Sequence, residues 1–222
     1  MCCPLCCSEN AGLYYKDRAR EYLLCPVCNL VFVPSVFFIS AEKEKARYDT
    51  HNNSAEDEGY RAFLNKLFRP LKSSLKVGVK GLDFGSGPGP TLSKMFSENG
   101  FEMDLFDPFY ANNHGIFKKK YDFISASEVV EHLHKPGFEL DRLYGMLRPR
   151  GILGVMTQLR TEQTDFSTWW YKNDETHICF FSKTSFQWLA EKWRARIEFI
   201  NNDVVLIKNQ LDRLISEIQF LG

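Results

Sequence analysis

A glycine-rich turn with acidic residues on both sides is the part of this sequence best suited to chemistry. The turn contains Gly85, Gly87 and Gly89, and it follows a short apolar stretch that ends near Asp83. Glycines let a backbone approach a ligand closely, and a helix that begins after the turn offers unpaired N–H groups to an anion. Asp107 ends the next apolar stretch, where an acid can bind the hydroxyls of a nucleotide ribose. The pattern therefore predicts a nucleoside-containing cofactor.

The residues around this turn narrow the identity of the cofactor. A dinucleotide fingerprint requires glycine where Pro90 stands, and the sequence has no phosphate-binding loop ending in Gly-Lys-Ser/Thr. An acid two residues before three alternating glycines suits S-adenosylmethionine. Asp83 would receive its ammonium group, the N–H groups of the turn its carboxylate, and Asp107 its ribose.

Cysteines near the start of the chain have the spacing of metal ligands. Two Cys-x-x-Cys pairs are separated by eighteen residues, which is typical of a zinc ribbon held by four thiolates. Such a closed zinc site stabilises a fold and does no chemistry itself. Cys2 and Cys7 flank the first pair and leave its register open. The predicted ligands are Cys3, Cys6, Cys25 and Cys28.

A third group of chemically capable residues is Glu128, Glu131 and His132. Their i, i+3, i+4 spacing would place them on one face of a helix. Carboxylates and an imidazole are suitable ligands for a divalent metal such as Mg, Mn or Zn. Alternatively, His132 lines a pocket or acts as a general base, because imidazole titrates near neutral pH.

The elements that must position these residues follow a strand–helix alternation from residue 79 onward. The predicted strands are 79–84, 102–106, 123–126 and 152–156, and the predicted helices are 91–98, 129–133, 138–147 and 184–193. Such alternation indicates a mainly parallel sheet with crossover helices. Two last strands, 196–200 and 204–207, are joined by Asn-Asn-Asp and form an antiparallel hairpin. We expect an α/β fold: a Rossmann-like, doubly wound sheet with a C-terminal antiparallel hairpin, plus a small zinc ribbon.

The chain divides into four predicted parts: a zinc ribbon (1–35), a linker with a lid helix (36–76), a cofactor-binding domain (77–209) and an amphipathic helix (210–222). The lid helix is predicted over residues 54–71, with Ser54 and Asp57 as a capping box and Pro70 ending or kinking it. The last helix either packs on its own domain or forms a homodimer.

Composition excludes several classes of protein. The 28 basic and 28 acidic residues give a net charge of zero, so there is no global attraction to nucleic acid or to anionic membranes. No stretch has the ~20 apolar residues that span a bilayer, and the start of the chain lacks the pattern of a signal peptide. We expect a cytoplasmic protein, in which clustered cysteines hold metal more often than they form disulfides.

From about residue 48 to residue 208 the sequence resembles the class I S-adenosylmethionine-dependent methyltransferases. The landmarks are residues 82–89 (LDFGSGPG), Asp107-Pro108, 121–124 (YDFI), 128–133 (EVVEHL) and 147–153 (LRPRGIL). One departure is the short 108–121 segment, where the family usually has a helix and a third strand that contributes adenine contacts. Ser125, Ala126 and Ser127 are expected to replace some of those contacts.

The resemblance also implies roles for individual residues. The implied cofactor-binding residues are Asp83, Gly85, Ser86, Gly87, Gly89, Asp107, Pro108, Ser127 and Glu128. The implied catalytic residues are His132, His177, His51 and Tyr48. Tyr48, Trp169, Trp170 and Tyr171 either surround the sulfonium and the acceptor or pack in the core. In ubiquinone-pathway O-methyltransferases a similar Glu-x-x-Glu-His segment can bind a divalent metal.

The expected reaction is methyl transfer by direct displacement, in which the enzyme aligns the acceptor and excludes water. The sequence favours a small-molecule or carrier-bound acceptor. The first alternative is RNA, because some ribosomal-RNA methyltransferases carry a zinc module that opens with Cys-Pro-Leu-Cys, and this ribbon contains Lys16, Arg18 and Arg20. The second is a non-catalytic binding module that kept the fold.

Overall fold

The structure is a computed structural model that describes residues 1–50 and 53–210. Its strands are β1 (Gly12–Lys16), β2 (Glu21–Leu24), β3 (Val31–Phe32), β4 (Lys80–Phe84), β5 (Glu102–Phe106), β6 (Tyr121–Ser127), β7 (Leu147–Met156), β8 (Cys179–Phe180), β9 (Arg196–Phe199) and β10 (Val204–Lys208). Its α-helices are α1 (Ala41–Tyr48), α2 (Glu58–Ser73), α3 (Thr91–Ser97), α4 (Pro136–Gly145) and α5 (Lys183–Trp193). The strands form one large and one small sheet.

The large sheet has the strand order β5-β4-β6-β7-β10-β9. Strands β5, β4, β6 and β7 are parallel, whereas β10 is antiparallel to both of its neighbours. The predicted α/β fold, with a mainly parallel sheet and a closing antiparallel hairpin, is confirmed. Because parallel strands share one direction, the carboxyl ends of β4, β5 and β6 meet at one edge. That edge gathers Gly85, Asp107 and Glu128.

Two hydrophobic clusters sandwich the large sheet. Along β10, Val204 and Leu206 belong to one cluster, whereas Val205 and Ile207 belong to the other. This alternation follows from the two-residue period of a strand. Apolar residues of α2 and α3 complete the first cluster, and those of α4 and α5 complete the second. The sheet is thus buried on both faces, as expected of parallel strands.

One side of the large sheet ends at β5. Between β5 and β6 the chain forms a 3-10 helix, His114–Lys118, and adds no further strand to this sheet, so the predicted shortening is confirmed. Phe106 and Phe117 pack edge to face with ring centroids 4.8 Å apart. Asp104 on β5 pairs with Lys119 at 2.9 Å. Charged side chains on an edge strand discourage pairing with another chain.

Helix α2 differs from its prediction at both ends. It begins after Asp57, whose Oδ1 accepts a hydrogen bond from the Tyr60 N–H at 3.0 Å, so Ser54 is not its N-cap. Ser54 instead accepts from the Glu56 N–H and belongs to a turn before the helix. Pro70 lies inside the helix, which continues to Ser73. Proline removes only the hydrogen bond to the carbonyl four residues earlier, and burial of the apolar face outweighs that loss.

The cysteine-rich segment forms the small sheet, in the order β1-β2-β3-β8. Its first three strands lie within residues 1–35, the segment of the predicted ribbon, but the fourth comes from beyond β7. Val31 pairs with Phe180 and Phe32 with Cys179. Cys25 and Phe180 also lie in the hydrophobic cluster that covers one face of the large sheet. The small sheet therefore shares a core with the large one.

Three further expectations concern the organisation of the chain. Part of the predicted linker is helical, because α1 occupies residues 41–48. The predicted amphipathic helix at 210–222 lies outside the described residues from 211 onward, so its homodimer interface stays a prediction, as do the domain boundaries. In the described part of the chain, no helix has both the length and the apolar character needed to cross a bilayer.

Replacement of two glycines by alanine tests the packing of the large sheet. A Cβ at Gly81 would lie 2.2 Å from Cζ of the buried Phe123, whereas a Cβ at Gly145 meets no atom within 4 Å. Gly81→Ala should lower the free energy of unfolding by about 1–3 kcal/mol through overpacking. Gly145→Ala, in a helix, should raise it by up to about 1 kcal/mol. Urea denaturation measures both, and equal midpoints would contradict this description of the sheet.

Candidate functional site

A cavity of about 610 Å³ lies at the carboxyl edge of β4, β5 and β6. Its walls come from the glycine turn, the start of α2, the segments after β5 and β6, and the first turns of α4. The lining residues are Glu44, Tyr48, Asn53, Tyr60, Phe63, Phe84, Gly85, Ser86, Gly87, Pro88, Asp107, Pro108, Phe109, Tyr110, Ser127, Glu128, Val129, His132, Leu133, His134, Lys135, Glu139, Arg142 and His177. Most predicted cofactor residues and three of the four predicted catalytic residues thus share one cavity.

The glycine turn is held against the end of β5. Gly85 has φ +75°, and a Cβ there would lie 2.3 Å from a methyl group of Val129. The N–H groups of Gly85 and Ser86 both donate to the Phe106 carbonyl, at 2.7 and 3.2 Å. Gly87 has φ +63°, and its N–H donates to Asp107. These three N–H groups therefore shape the turn, whereas the sequence predicted that they receive a ligand carboxylate.

Asp107 connects the turn to the loop after β5. Its Oδ2 accepts from the Gly87 N–H at 2.9 Å, and its Oδ1 accepts from Phe109 and Tyr110 at 2.9 and 3.1 Å. A carboxylate offers about four acceptor positions, so one remains for a ligand hydroxyl. The side chain is 7% exposed and lines the cavity. Its position is consistent with the predicted ribose contact.

Two of the predicted cofactor residues do not line the cavity. Asp83 is 3% exposed and accepts a hydrogen bond from Ser125 Oγ at 2.9 Å, which joins β4 to β6. Burial raises the pKa of Asp83 to about 6. At Gly89, a Cβ would lie 2.3 Å from the carbonyl oxygen of Asn53. Asp83 therefore lies between β4 and β6, beneath the glycine turn. Gly89 lacks a side chain because the backbone of Asn53 packs directly against it.

Glu128 follows β6 with φ +52°, a left-handed conformation that is uncommon for a residue with a side chain. The predicted helix at 129–133 is a single 3-10 turn, Val130–His132, so Glu128 lies outside it. The proposed common helical face is therefore wrong, although the Tyr171 hydroxyl contacts both carboxylates, at 2.6 Å from Glu131 and 3.4 Å from Glu128. Burial, with the nearby Glu131 carboxylate, raises the pKa of Glu128.

Glu131 is fully buried beside the cavity. Its Oε1 accepts a hydrogen bond from the Tyr171 hydroxyl at 2.6 Å, and Tyr171 also contacts Thr157 Oγ1 at 3.1 Å. Its Oε2 has no hydrogen-bond partner among the described residues. Burial raises the pKa of Glu131, because a carboxylate loses its hydration there.

His132 and His177, the two predicted catalytic histidines among the described residues, both lie beside Glu131. The ring centroids of His132 and His177 are 4.8 Å apart. Nδ1 of His132 is 3.1 Å from the Thr176 carbonyl, and Nδ1 of His177 is 2.7 Å from the Tyr171 carbonyl. A carbonyl only accepts, so each Nδ1 carries a proton. Residues 170–178, which supply both carbonyls, are called the histidine loop below.

The remaining aromatic predictions divide between the cavity and the core. Tyr48 lines the cavity, and its ring contacts His132 at 5.4 Å in a T-shaped geometry. Trp169 packs against Phe166 in the core, whereas Trp170 is 65% exposed. Neither tryptophan lines the cavity, so they do not surround a ligand there, which was the first of the two predicted arrangements. His51, the fourth predicted catalytic residue, lies outside the described residues.

Residues 51–193 match the sequence profile of a family described as a methyltransferase domain. They make up more than half of the 222-residue chain. The chain belongs to this methyltransferase family. A comparison with curated proteins gives no significant match.

Solved structures with the same fold include other methyltransferases. One is the 1,6-didemethyltoxoflavin-N1-methyltransferase of Burkholderia thailandensis with bound S-adenosylhomocysteine, at 14% identity and a TM-score of 0.52 over 90% of this chain and 100% of that one. Another is a methyltransferase of calicheamicin biosynthesis, also with S-adenosylhomocysteine, at 9% identity and a TM-score of 0.50 over 67% of this chain and 54% of that one. At these identities the likeness concerns the fold alone.

The cavity of this methyltransferase domain also contains residues that the sequence did not identify. The main ones are Glu44, Tyr60, Phe109, Tyr110, Lys135 and Arg142. Phe109 and Tyr110 directly follow the Asp107-Pro108 landmark, and this adjacency could have predicted that they line the cavity. Tyr60 lies near the start of α2. Of the residues expected to replace adenine contacts, Ser127 lines the cavity, whereas Ser125 and Ala126 are buried in β6.

Two groups of side chains have the spacing of metal ligands within the described residues. In each, the ligand atoms lie within 4.8 Å of one another. The second group joins Glu131 and His132 to His177, and it does not include Glu128. The first group is the predicted one, and Cys2 and Cys7 are exposed outside it. Its members are Cys3, Cys6, Cys25 and Cys28.

Removal of the Tyr171 hydroxyl tests whether the buried Glu131 carboxylate depends on this hydrogen-bond donor. Tyr171→Phe deletes the donor to Glu131, and loss of a hydrogen bond to a buried charged group costs about 1–3 kcal/mol. Tyr14→Phe, on the exposed strand β1, should change stability by less than about 0.5 kcal/mol. Chemical denaturation compares the two variants. Equal stabilities would show that Glu131 does not depend on this phenol.

Proposed function

We propose that this protein transfers a methyl group from S-adenosylmethionine to a small-molecule or carrier-bound acceptor by direct displacement. The observation that carries the proposal is one cavity that joins the Asp107-bound glycine turn to the His132–His177 pair, in a chain of the methyltransferase family. The cofactor supplies an electrophilic methyl group attached to a sulfonium. The chain contributes binding, alignment and exclusion of water.

The cofactor half of the cavity is the edge formed by β4 and β5. Here Asp107 has an acceptor position left for a ribose hydroxyl, and Gly85 and Gly87 line the cavity beside it. Phe109 and Tyr110 add aromatic surface next to Asp107. Together these residues suit a molecule with a polar sugar next to an aromatic base.

The acceptor half contains Tyr48, His132 and His177. Burial lowers the pKa of His177, so its imidazole is neutral at physiological pH. Because its Nδ1–H donates to a backbone carbonyl, Nε2 can accept a proton from the acceptor. A base at this position removes the proton of a hydroxyl or amine as its oxygen or nitrogen attacks the methyl carbon.

The RNA alternative receives little support from the ribbon. Of its three central basic residues, Lys16 pairs with Glu21 at 2.9 Å, and Arg20 is buried. Arg18 is exposed. A phosphate-binding surface needs several cations available to solvent. A small-molecule or carrier-bound acceptor therefore remains the proposal.

The cysteine group is proposed to hold a structural zinc ion. In a tetrahedral site with Zn–S of about 2.3 Å, the sulfurs lie about 3.8 Å apart. The Cys3–Cys28 and Cys6–Cys25 sulfur pairs are 3.5 and 3.4 Å apart, and no two of the cysteines form a disulfide. The four thiols therefore fit zinc, which would contribute folding free energy and no catalytic step.

Cofactor binding is tested by replacement of Asp107. Asp107→Asn keeps the size of the side chain but removes its charge and one acceptor oxygen, so affinity for S-adenosylhomocysteine should fall about 10- to 100-fold. Asp141→Asn, the matched change on α4 at a carboxylate outside the cavity lining, should leave affinity unchanged. Isothermal calorimetry measures both. Absence of binding by the unmodified chain would refute the proposed function.

The zinc proposal is tested by metal analysis of cysteine variants. The purified protein should contain about one zinc ion per chain, and Cys25→Ser should lose it together with thermal stability. Cys7→Ser changes an exposed thiol outside the group and should keep the metal. Zinc lost from Cys7→Ser, or retained by Cys25→Ser, would contradict the proposed ligands.

A further inference from the structure

Arg20 is a charged side chain buried where the small sheet meets the histidine loop. It is 7% exposed, although it lies at the start of the short strand β2. A buried guanidinium requires partners for its N–H groups, because desolvation of an unpaired charge is costly. The partners of Arg20 are therefore informative about what this residue does.

Most of these partners are main-chain carbonyls of the histidine loop. One Nη donates to the Glu175 carbonyl at 3.1 Å, and the other donates to the carbonyls of Lys172 and Asp174, the latter at 2.9 Å. Nε donates to the Tyr22 hydroxyl at 2.9 Å. The planar fork of arginine makes such simultaneous bonds, whereas the ammonium of lysine cannot reproduce their geometry.

The carbonyls bound by Arg20 lie between the two bound by the histidines. The Tyr171 carbonyl accepts from His177, and the Thr176 carbonyl accepts from His132. Between them lie the three carbonyls that Arg20 binds. One short stretch of backbone thus joins a guanidinium of the small sheet to both imidazoles of the cavity.

Other contacts tie the same stretch of chain to the N-terminal half. Arg47 of α1 binds the Asp174 carboxylate at 2.9 Å, and this carboxylate also accepts from the Thr176 N–H at 3.0 Å. Farther along, Asn29 beside the second cysteine pair accepts from Ser182 at 3.1 Å. These contacts hold the histidine loop at Asp174 and the chain just after it at Ser182.

We propose that Arg20 is a positioning residue that fixes the orientation and the Nδ1–H tautomer of His132 and His177 through the backbone of the histidine loop. It touches neither histidine, and it acts through the carbonyls to which they donate. The small sheet then has a function apart from recognition, because it completes the acceptor side of the cavity. This inference rests on the proposed function only where it calls that side an acceptor site.

The experiment compares the same substitution at two neighbouring arginines. Arg20→Lys keeps the charge but loses the fork, whereas Arg18→Lys changes an exposed arginine in the same turn. In the full-length chain, Arg20→Lys should speed hydrogen exchange of the Thr176, His177 and Ile178 amides by about tenfold or more. Arg18→Lys should leave these rates within about twofold of the unmodified protein.

The nitrogen-15 chemical shifts of the two imidazoles report their tautomers, which a change in global stability alone would not alter. His132 and His177 should be pure Nδ1–H tautomers in the unmodified protein and in Arg18→Lys, but mixtures in Arg20→Lys. Affinity for S-adenosylhomocysteine should stay within about twofold, because Asp107 and the glycine turn lie on other strands.

The outcomes separate this inference from the proposed function. Unchanged tautomers and exchange rates in Arg20→Lys would overturn the positioning role. Faster exchange that extends equally to β4 and β6 would also overturn it, since Arg20 would then support the fold as a whole. Failure of the unmodified protein to bind S-adenosylhomocysteine would refute the proposed function, and the tautomer comparison would still decide the role of Arg20.

Discussion

The burial of the Glu131 carboxylate is the constraint on which the histidine side of the cavity depends. A carboxyl group with no exposure must have hydrogen-bond donors or neutralise its charge, and here the Tyr171 hydroxyl donates to it. That requirement fixes Tyr171, and with it the histidine loop. The Ile178 N–H donates to the Glu131 carbonyl at 2.8 Å, so the same residue holds the loop through its backbone as well.

The glycine-turn side of the cavity is organised by a second carboxylate, Asp107, whose hydrogen-bond donors are main-chain N–H groups and not a side chain. Asp107 accepts three main-chain N–H groups, so its charge is compensated by dipoles that belong to the turn and to the following loop. The glycine turn is thus formed by the protein's own hydrogen bonds, and a ligand would meet a site that is already shaped. Preorganisation of this kind reduces the entropy lost on binding.

Sequence patterns predicted the sheet, the cysteine group and most of the cavity, because these depend on hydrophobic period, ligand spacing and strand order. They failed where tertiary contacts decide. Gly89 is required by the Asn53 carbonyl, and Asp83 bonds Ser125, so neither faces the cavity. Glu128 does not share a helical face with Glu131 and His132, because its backbone is left-handed. Arg20 was interpreted as one of several basic surface residues, since nothing in its neighbourhood reveals partners more than 150 positions away in sequence.

The pairing of β3 with β8 also has a consequence for how the chain acquires its structure. Val31 cannot pair with Phe180 until the residues between them have been synthesised, so the small sheet keeps an open edge while the large one is being made. Contacts between residues so distant in sequence raise the contact order and slow folding. Metal binding by the four cysteines, which would involve only residues 3–28, would stabilise this incomplete sheet before Phe180 is available.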